Sequence, residues 1–217
     1  MPPIVTQDEI THALTETTIP SPSRQAAYFA SGALAGLCGP TALQVFTTLT
    51  TIHRLPNPKN LKPLLLSPGL PKAGLRFWTV DQVRARTAHT LHASLGSTLG
   101  GAAAGFLEES LHALGCGKRP VARTVISQTL RLGVCFGIVT HLGTRLTPDS
   151  RQPRPFWWYW GLGAVAGAVG NGLASGVVDG VRGRGLVLAV PRGAVLMGTV
   201  VSVQVTSCAG ALGMLGE

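Results

Sequence analysis

Gly32–Gly36 reads GALAG, Gly101–Gly105 reads GAAAG and Gly163–Gly167 reads GAVAG. The copies stand 69 and then 62 residues apart in a chain of 217. A phrase that returns at a near-constant interval is the mark of an internally repeated architecture. Each copy is also a small-xxx-small pattern, which lets two helices approach backbone to backbone inside a membrane. Three copies at matching depth predict three helix pairs, each with one glycine-lined helix. The glycines expected at those contacts are Gly32 and Gly36, Gly101 and Gly105, and Gly163 and Gly167.

The surroundings of the phrase make it a membrane pattern. Hydrophobic residues form 45% of the chain and charged residues 12%, about half the charge of a soluble domain. Gln25–Ile52, Thr87–Leu107, Pro155–Val178 and Gly193–Gly216 carry no Asp, Glu, Lys or Arg, and about 20 apolar residues suffice to cross a bilayer. Leu64–Val83 and Thr124–Thr144 are apolar too, but carry Lys72, Arg76 and Asp81 in the first and Arg131 in the second. The fold class expected is an all-α membrane protein with six transmembrane helices in three pseudo-repeated pairs. The phrase lies in the first, third and fifth. The repeats run over about 25–86, 87–150 and 151–217, behind a polar tail at 1–24. The aromatic cluster FWWYW at Phe156–Trp160 sits where a water interface is expected.

The net charge of +9 points to loop placement, not to nucleic acid. The first, third and fifth loops hold Arg54, Lys59, Lys62, Lys118, Arg119, Arg123, Arg182, Arg184 and Arg192. The second and fourth hold Arg84, Arg86, Arg145, Arg151 and Arg154. Basic loops favour the negative compartment, so both termini are expected on the opposite side. The tail has neither a secretory signal nor the Arg-rich, acid-poor composition of a transit peptide.

Charges inside spans are costly and face a cavity or a partner. Arg76 in PKAGLRF and Arg131 in SQTLRL are therefore candidate anion-binding groups. Lys72 lies one turn from Arg76, since positions four apart share a helix face. Snorkelling, or pairing with Glu108 or Glu109, is the competing expectation. The histidines His12, His53, His89, His92, His112 and His141 are scattered, and Cys38, Cys116, Cys135 and Cys208 show no CxxC spacing. No metal, cofactor, disulfide or enzyme activity is expected. The glycine phrases lie inside spans rather than after strands, which excludes a nucleotide-binding fingerprint.

From SGALAGL onward the chain resembles the mitochondrial carrier family, and within it the tricarboxylate (citrate) carriers. GAAAGFLEES is similar to the family's third helix, FWWYWGLGAVAGAVGNG to its fifth, and LPKAGLRF and SQTLRL to the even helices of citrate carriers. The resemblance implies a six-helix barrel with threefold pseudosymmetry in the mitochondrial inner membrane. Its odd loops would face the matrix, and Lys72, Arg76 and Arg131 would contact a small anionic substrate. Family gates use Pro-x-acid-x-x-base on odd helices and aromatic-acid-x-x-base on even ones. Here only Asp179 with Arg182 in GVVDGVR, and Asp81 with Arg84 in VDQVR, keep the acid-base spacing. The odd loops are also too short for the family's matrix helices. Two functions follow. One is exchange of citrate or related anions. The other is a degenerate carrier that no longer transports and serves as a structural or assembly subunit in a larger inner-membrane complex. The bilayer is the expected partner in both.

Overall fold

A computed structural model of the chain describes residues 21–52, 69–88, 90–146 and 154–215. They form six helices: α1 (Pro22–Ile52), α2 (Gly69–Thr87), α3 (Ala93–Gly115), α4 (Ala122–Leu146), α5 (Phe156–Leu173) and α6 (Arg184–Leu215). A single π-turn, Ala174–Val178, continues α5. There is no strand among the described residues. The tail as far as Pro20, most of the first loop, His89 and Arg151 lie outside the described residues.

The spans start and stop where local chemistry sets them. The expected start of the third at Thr87 moves to Ala93, because α2 runs through Thr87 and His92 caps the next helix, accepting from the Ser94 amide. The sixth begins ahead of the uncharged run at Gly193, at Arg184, directly after Gly183 takes a φ of 58°. Gly117 and Gly180, with φ of 65° and 63°, turn the loops Cys116–Val121 and Asp179–Gly183. Neither loop has room for a further helix.

Four helices are long and apolar enough to cross a membrane: α1, α4, α5 with its π-turn, and α6. The other two fall short for different reasons. α2 carries Lys72, Arg76, Asp81, Arg84 and Arg86, and it buries Thr79, Asp81 and Gln82 inside the bundle. α3 is diluted by glycine and serine and carries Glu108 and Glu109 in its second half. Yet α3 exposes Leu95, Leu99 and Phe106 in a stripe opposite its buried glycines, and Leu111 and Leu114 near its end. Its 23 residues make a helix of about 34 Å at 1.5 Å per residue, enough to match the roughly 30 Å of hydrocarbon in a bilayer. The buried side of the same helix is Gly96, Ser97, Gly100, Gly101, Ala104 and Gly105. Its polarity is therefore turned inward, and its apolar side chains outward.

Each helix packs against its neighbours in chain order, and α1 packs against α6, which closes the ring. Within the pairs α1–α2, α3–α4 and α5–α6 the contact is made in one register. A β-carbon on Gly32 would meet the Ala73 carbonyl and Phe77, one on Gly101 would meet the Leu132 carbonyl and Phe136, and one on Gly163 would meet the Met197 carbonyl and Val201. The contact is reciprocal. β-carbons on Gly74, Gly133 and Gly198 would stand 2.9, 3.2 and 3.0 Å from the carbonyl oxygens of Phe29, Thr98 and Trp160. Each of these three residues precedes its own helix's repeat glycine by three positions. Gly105 and Gly167 continue the seam against Gln128 and Gly193, while Gly36 is half-buried. The second alanine of GAxAG, at the fourth place of each phrase, is sealed inside: Ala35 at 0%, Ala104 at 2% and Ala166 at 0% exposure. Phe77 and Phe136, equivalent positions of two pairs, meet edge to face with ring centroids 5.4 Å apart.

This packing makes a direct prediction. A methyl group at Gly133 or Gly198 overpacks a backbone contact, at a cost of about 1–3 kcal/mol. A β-carbon added to Gly161, in α5, would meet nothing within 4 Å. That position should tolerate alanine or gain about 0.5–1 kcal/mol from it. Thermal unfolding in detergent micelles should lower the midpoint for Gly133→Ala and Gly198→Ala and leave it unchanged or raised for Gly161→Ala.

Candidate functional site

The repeated register fixes which charged positions correspond. Counting from Phe77, Phe136 and Val201, position 76 is equivalent to 135 and 200, and position 72 to 131 and 196. Arg131 therefore corresponds to Lys72, not to Arg76. In the third pair the same two places hold Leu196 and Val200. The basic residues belong to two of the three repeats only.

Arg76 is held between α2 and α3. Its Nε donates to Glu108 Oε2 at 3.0 Å, and its Nη2 reaches both carboxylate oxygens, at 2.9 and 2.8 Å. The two side chains are 13% and 14% exposed. Bidentate, charge-assisted geometry of this kind is the strongest way for a guanidinium to be satisfied. Lys72 is half-buried one turn away, with no ion pair among the described residues. Arg131 donates from Nη1 to Gln128 Oε1 at 3.2 Å, and its buried Nε has no hydrogen-bond partner. Between the two arginines stands Cys135, whose Sγ donates to the Ala166 carbonyl at 3.3 Å and which lies within electrostatic reach of both.

The equivalent seams show what the pair replaces. Glu108 occupies the position of Gly39 in α1 and Gly170 in α5. Gly39 packs against Leu196 and Val200 of α6, and Gly170 against Arg131 and Cys135 of α4. Two seams are thus closed by a glycine against a small or apolar side chain. The third is closed by an ion pair.

A second polar group lies near the start of α1. Asp81 is buried, and its carboxylate lies 3.9 Å from Arg24, whose guanidinium also stands 5.7 Å from the centre of the Tyr28 ring. Arg84, one turn along α2, is close enough to act on Asp81 electrostatically. Nearby, Trp78 donates from Nε1 to Gln25 at 3.2 Å. In the second repeat the place of Asp81 is taken by Thr140, which donates to Ser97 at 2.8 Å. In the third it is taken by Val205, packed against the buried cluster of Cys135, Ala166, Met197 and Val201.

At the other end of the ring, the Asp179 carboxylate accepts from Ser127 Oγ at 3.0 Å. Arg123 donates from Nε to the Val178 carbonyl at 3.2 Å and from Nη2 to the Asp179 carbonyl. These bonds tie the start of α4 to the π-turn. Arg182 is exposed, and it makes no ion pair with Asp179 among the described residues. The acid-x-x-base spacing therefore identified Asp179 but not its partner, which comes from another helix and shows no sequence signal.

No three His, Cys, Asp or Glu side chains gather into a metal-holding group among the described residues. The chain matches no protein-family model, no curated protein and no solved structure.

Removing one member of a buried pair leaves the other charge uncompensated, at a cost of about 3–5 kcal/mol, whereas replacing both by apolar groups is often neutral or better. Arg76→Met and Glu108→Leu should each lower the unfolding midpoint in micelles, and the double variant should recover most of the loss. A double variant as unstable as the singles would show that the pair is not an isolated contact.

Proposed function

We propose that this chain is a carrier-like protein of the mitochondrial inner membrane, built as six spans in three pairs, and that it exchanges citrate or related di- and tricarboxylate anions. The observation that carries the reading is the reciprocal glycine contact made in one register by α1–α2, α3–α4 and α5–α6 in a ring that α1 and α6 close. Such an arrangement suits alternating access, in which internal repeats rock against one another around a site near the midplane. The anion preference rests on Lys72, Arg76 and Arg131. They exceed Glu108 in charge, and arginine geometry suits carboxylates. The outward stripe of α3 supports the six-span count where its average composition does not.

A second reading, a structural or assembly subunit without transport, is favoured by one specific observation. Arg76 is already satisfied by Glu108. The gate motifs are sparse too, and Asp179 is engaged by Ser127 rather than by a cation of its own motif.

Reconstitution into liposomes separates the two. Exchange predicts uptake of labelled citrate that is lost in Arg76→Ala and Arg131→Ala and retained in Arg151→Ala. Absence of uptake with folded protein in the bilayer would leave the structural reading. The basic bias of the odd loops predicts both termini outside the matrix. A tag at Met1 should therefore be cut by protease once the outer membrane is opened, and protection until detergent is added would reverse the orientation.

A further inference from the structure

Two of the three equivalent seams between helix pairs are closed without any charge, by Gly39 against Val200 and by Gly170 against Cys135. The ring therefore needs no ion pair at this position to close. At the third seam, Arg76 and Glu108 stand in place of that simple contact. Burying two charges costs several kcal/mol per ion, and a buried pair is often no more stabilising than apolar residues of the same size. Packing does not account for its presence.

The surroundings give the pair a direction. On α2, Lys72 lies one turn from Arg76. On α4, Arg131 keeps a buried Nε without a hydrogen-bond partner, and Cys135 lies within reach of both arginines. On α3, Glu109 adjoins Glu108, and His112 lies one turn further on and is exposed. On α1, which packs the other side of α2, the ionisable side chains are Arg24, Tyr28 and Cys38, none of them an acid. With Arg76 itself counted, three cations, Lys72, Arg76 and Arg131, face two carboxylates, Glu108 and Glu109. Glu108 alone occupies the bidentate edge of the guanidinium that an incoming carboxylate or sulfate would use.

We propose that Glu108 is a tethered counter-anion: an anionic ligand takes its place on Arg76, and Glu108 accepts one proton as it is displaced. This rests on the anion-exchanger reading and adds the linkage to protons. The balance is simple. The ligand anion gains the two N–H donors of Arg76 that Glu108 gives up, and one proton from solvent binds a Glu108 carboxylate oxygen. The proton is taken up because two anions beside one guanidinium repel and raise the proton affinity of the weaker acid. Lower pH therefore favours ligand binding.

The test uses the full chain in micelles, with sulfate as the probe because sulfate does not itself titrate near neutral pH, and with citrate in parallel. From about pH 8 down to about pH 6, a linked proton makes sulfate affinity rise, by up to about tenfold per pH unit. In Glu108→Gln, which keeps an acceptor beside Arg76 but holds no charge, sulfate should bind more tightly than in the wild type at the upper end of that range, with a flat pH response. A flat response in the wild type overturns the proposal without recourse to any variant. Weaker sulfate binding in a folded Glu108→Gln also overturns it, since Glu108 would then only position Arg76. If citrate still binds in either case, the exchanger reading stands. If neither anion binds wild type or variant at any pH, both fall.

Discussion

In a bilayer, apolar side chains gain little by leaving lipid for protein, so helices stay together where their backbones come close enough for van der Waals contact along a whole face. That requirement organises this chain. At Gly32, Gly101 and Gly163 on the odd helices, and at Gly74, Gly133 and Gly198 on the even ones, each backbone meets the carbonyl or side chain of its partner. Apolar side chains are left to face outward, as Leu95, Leu99, Phe106, Leu111 and Leu114 do on α3 and Trp157, Val165 and Val177 do on α5 and its π-turn. The threefold character is carried by small residues, and the large ones vary freely around it.

On this symmetric frame the polar groups are distributed unequally. Of the buried and half-buried charges, α1 and α2 hold Arg24, Lys72, Arg76, Asp81 and Arg84, α3 and α4 hold Glu108, Glu109 and Arg131, and α6 holds none, its Arg184 and Arg192 both being exposed, near its start. The result is a seam between α2 and α3 held by an ion pair at the position where the α1–α6 and α4–α5 seams have a glycine contact. Near the middle of the ring the equivalent Phe77 and Phe136 rings touch, and Leu132 and Val200 are buried with them.

Much of this was legible in the sequence, and the exceptions have physical causes. The odd-helix phrase declares itself because its first glycine and the alanine at its fourth place face a neighbour in every copy. The even-helix glycines do not, since AGL, LGV and MGT share nothing but the glycine, the flanking residues packing in different surroundings. Several helix ends depart from the uncharged runs: α3 starts at Ala93 and continues past Leu107 to Gly115, and α6 starts at Arg184, ahead of Gly193, because the His92 cap and the left-handed Gly183 set these starts and charged residues do not stop a helix. The composition of α2 and α3 blurs the count of spans, because their polar residues turn inward while hydropathy averages over all sides. Arg76 and Arg131 look alike in sequence, each one arginine in an apolar helix, but sit one turn apart in the repeat. Only the contact register reveals that. Partners contributed by distant helices, Ser127 for Asp179 and Arg24 for Asp81, leave no local spacing to read.

The closed ring is the claim on which the rest stands, and the contact between the first and last helices is where it is most exposed. Gly39 on α1 packs directly against Val200 on α6, close enough for the separation that a disulfide needs between its β-carbons, about 3.5–4.5 Å. In a variant with the four native cysteines replaced, Gly39→Cys together with Val200→Cys should form an intramolecular disulfide under mild oxidation. After cleavage at a protease site inserted between α3 and α4, the two halves should stay joined until reductant is added. Halves that separate without reductant, or cross-links that join only two different molecules, would contradict the ring.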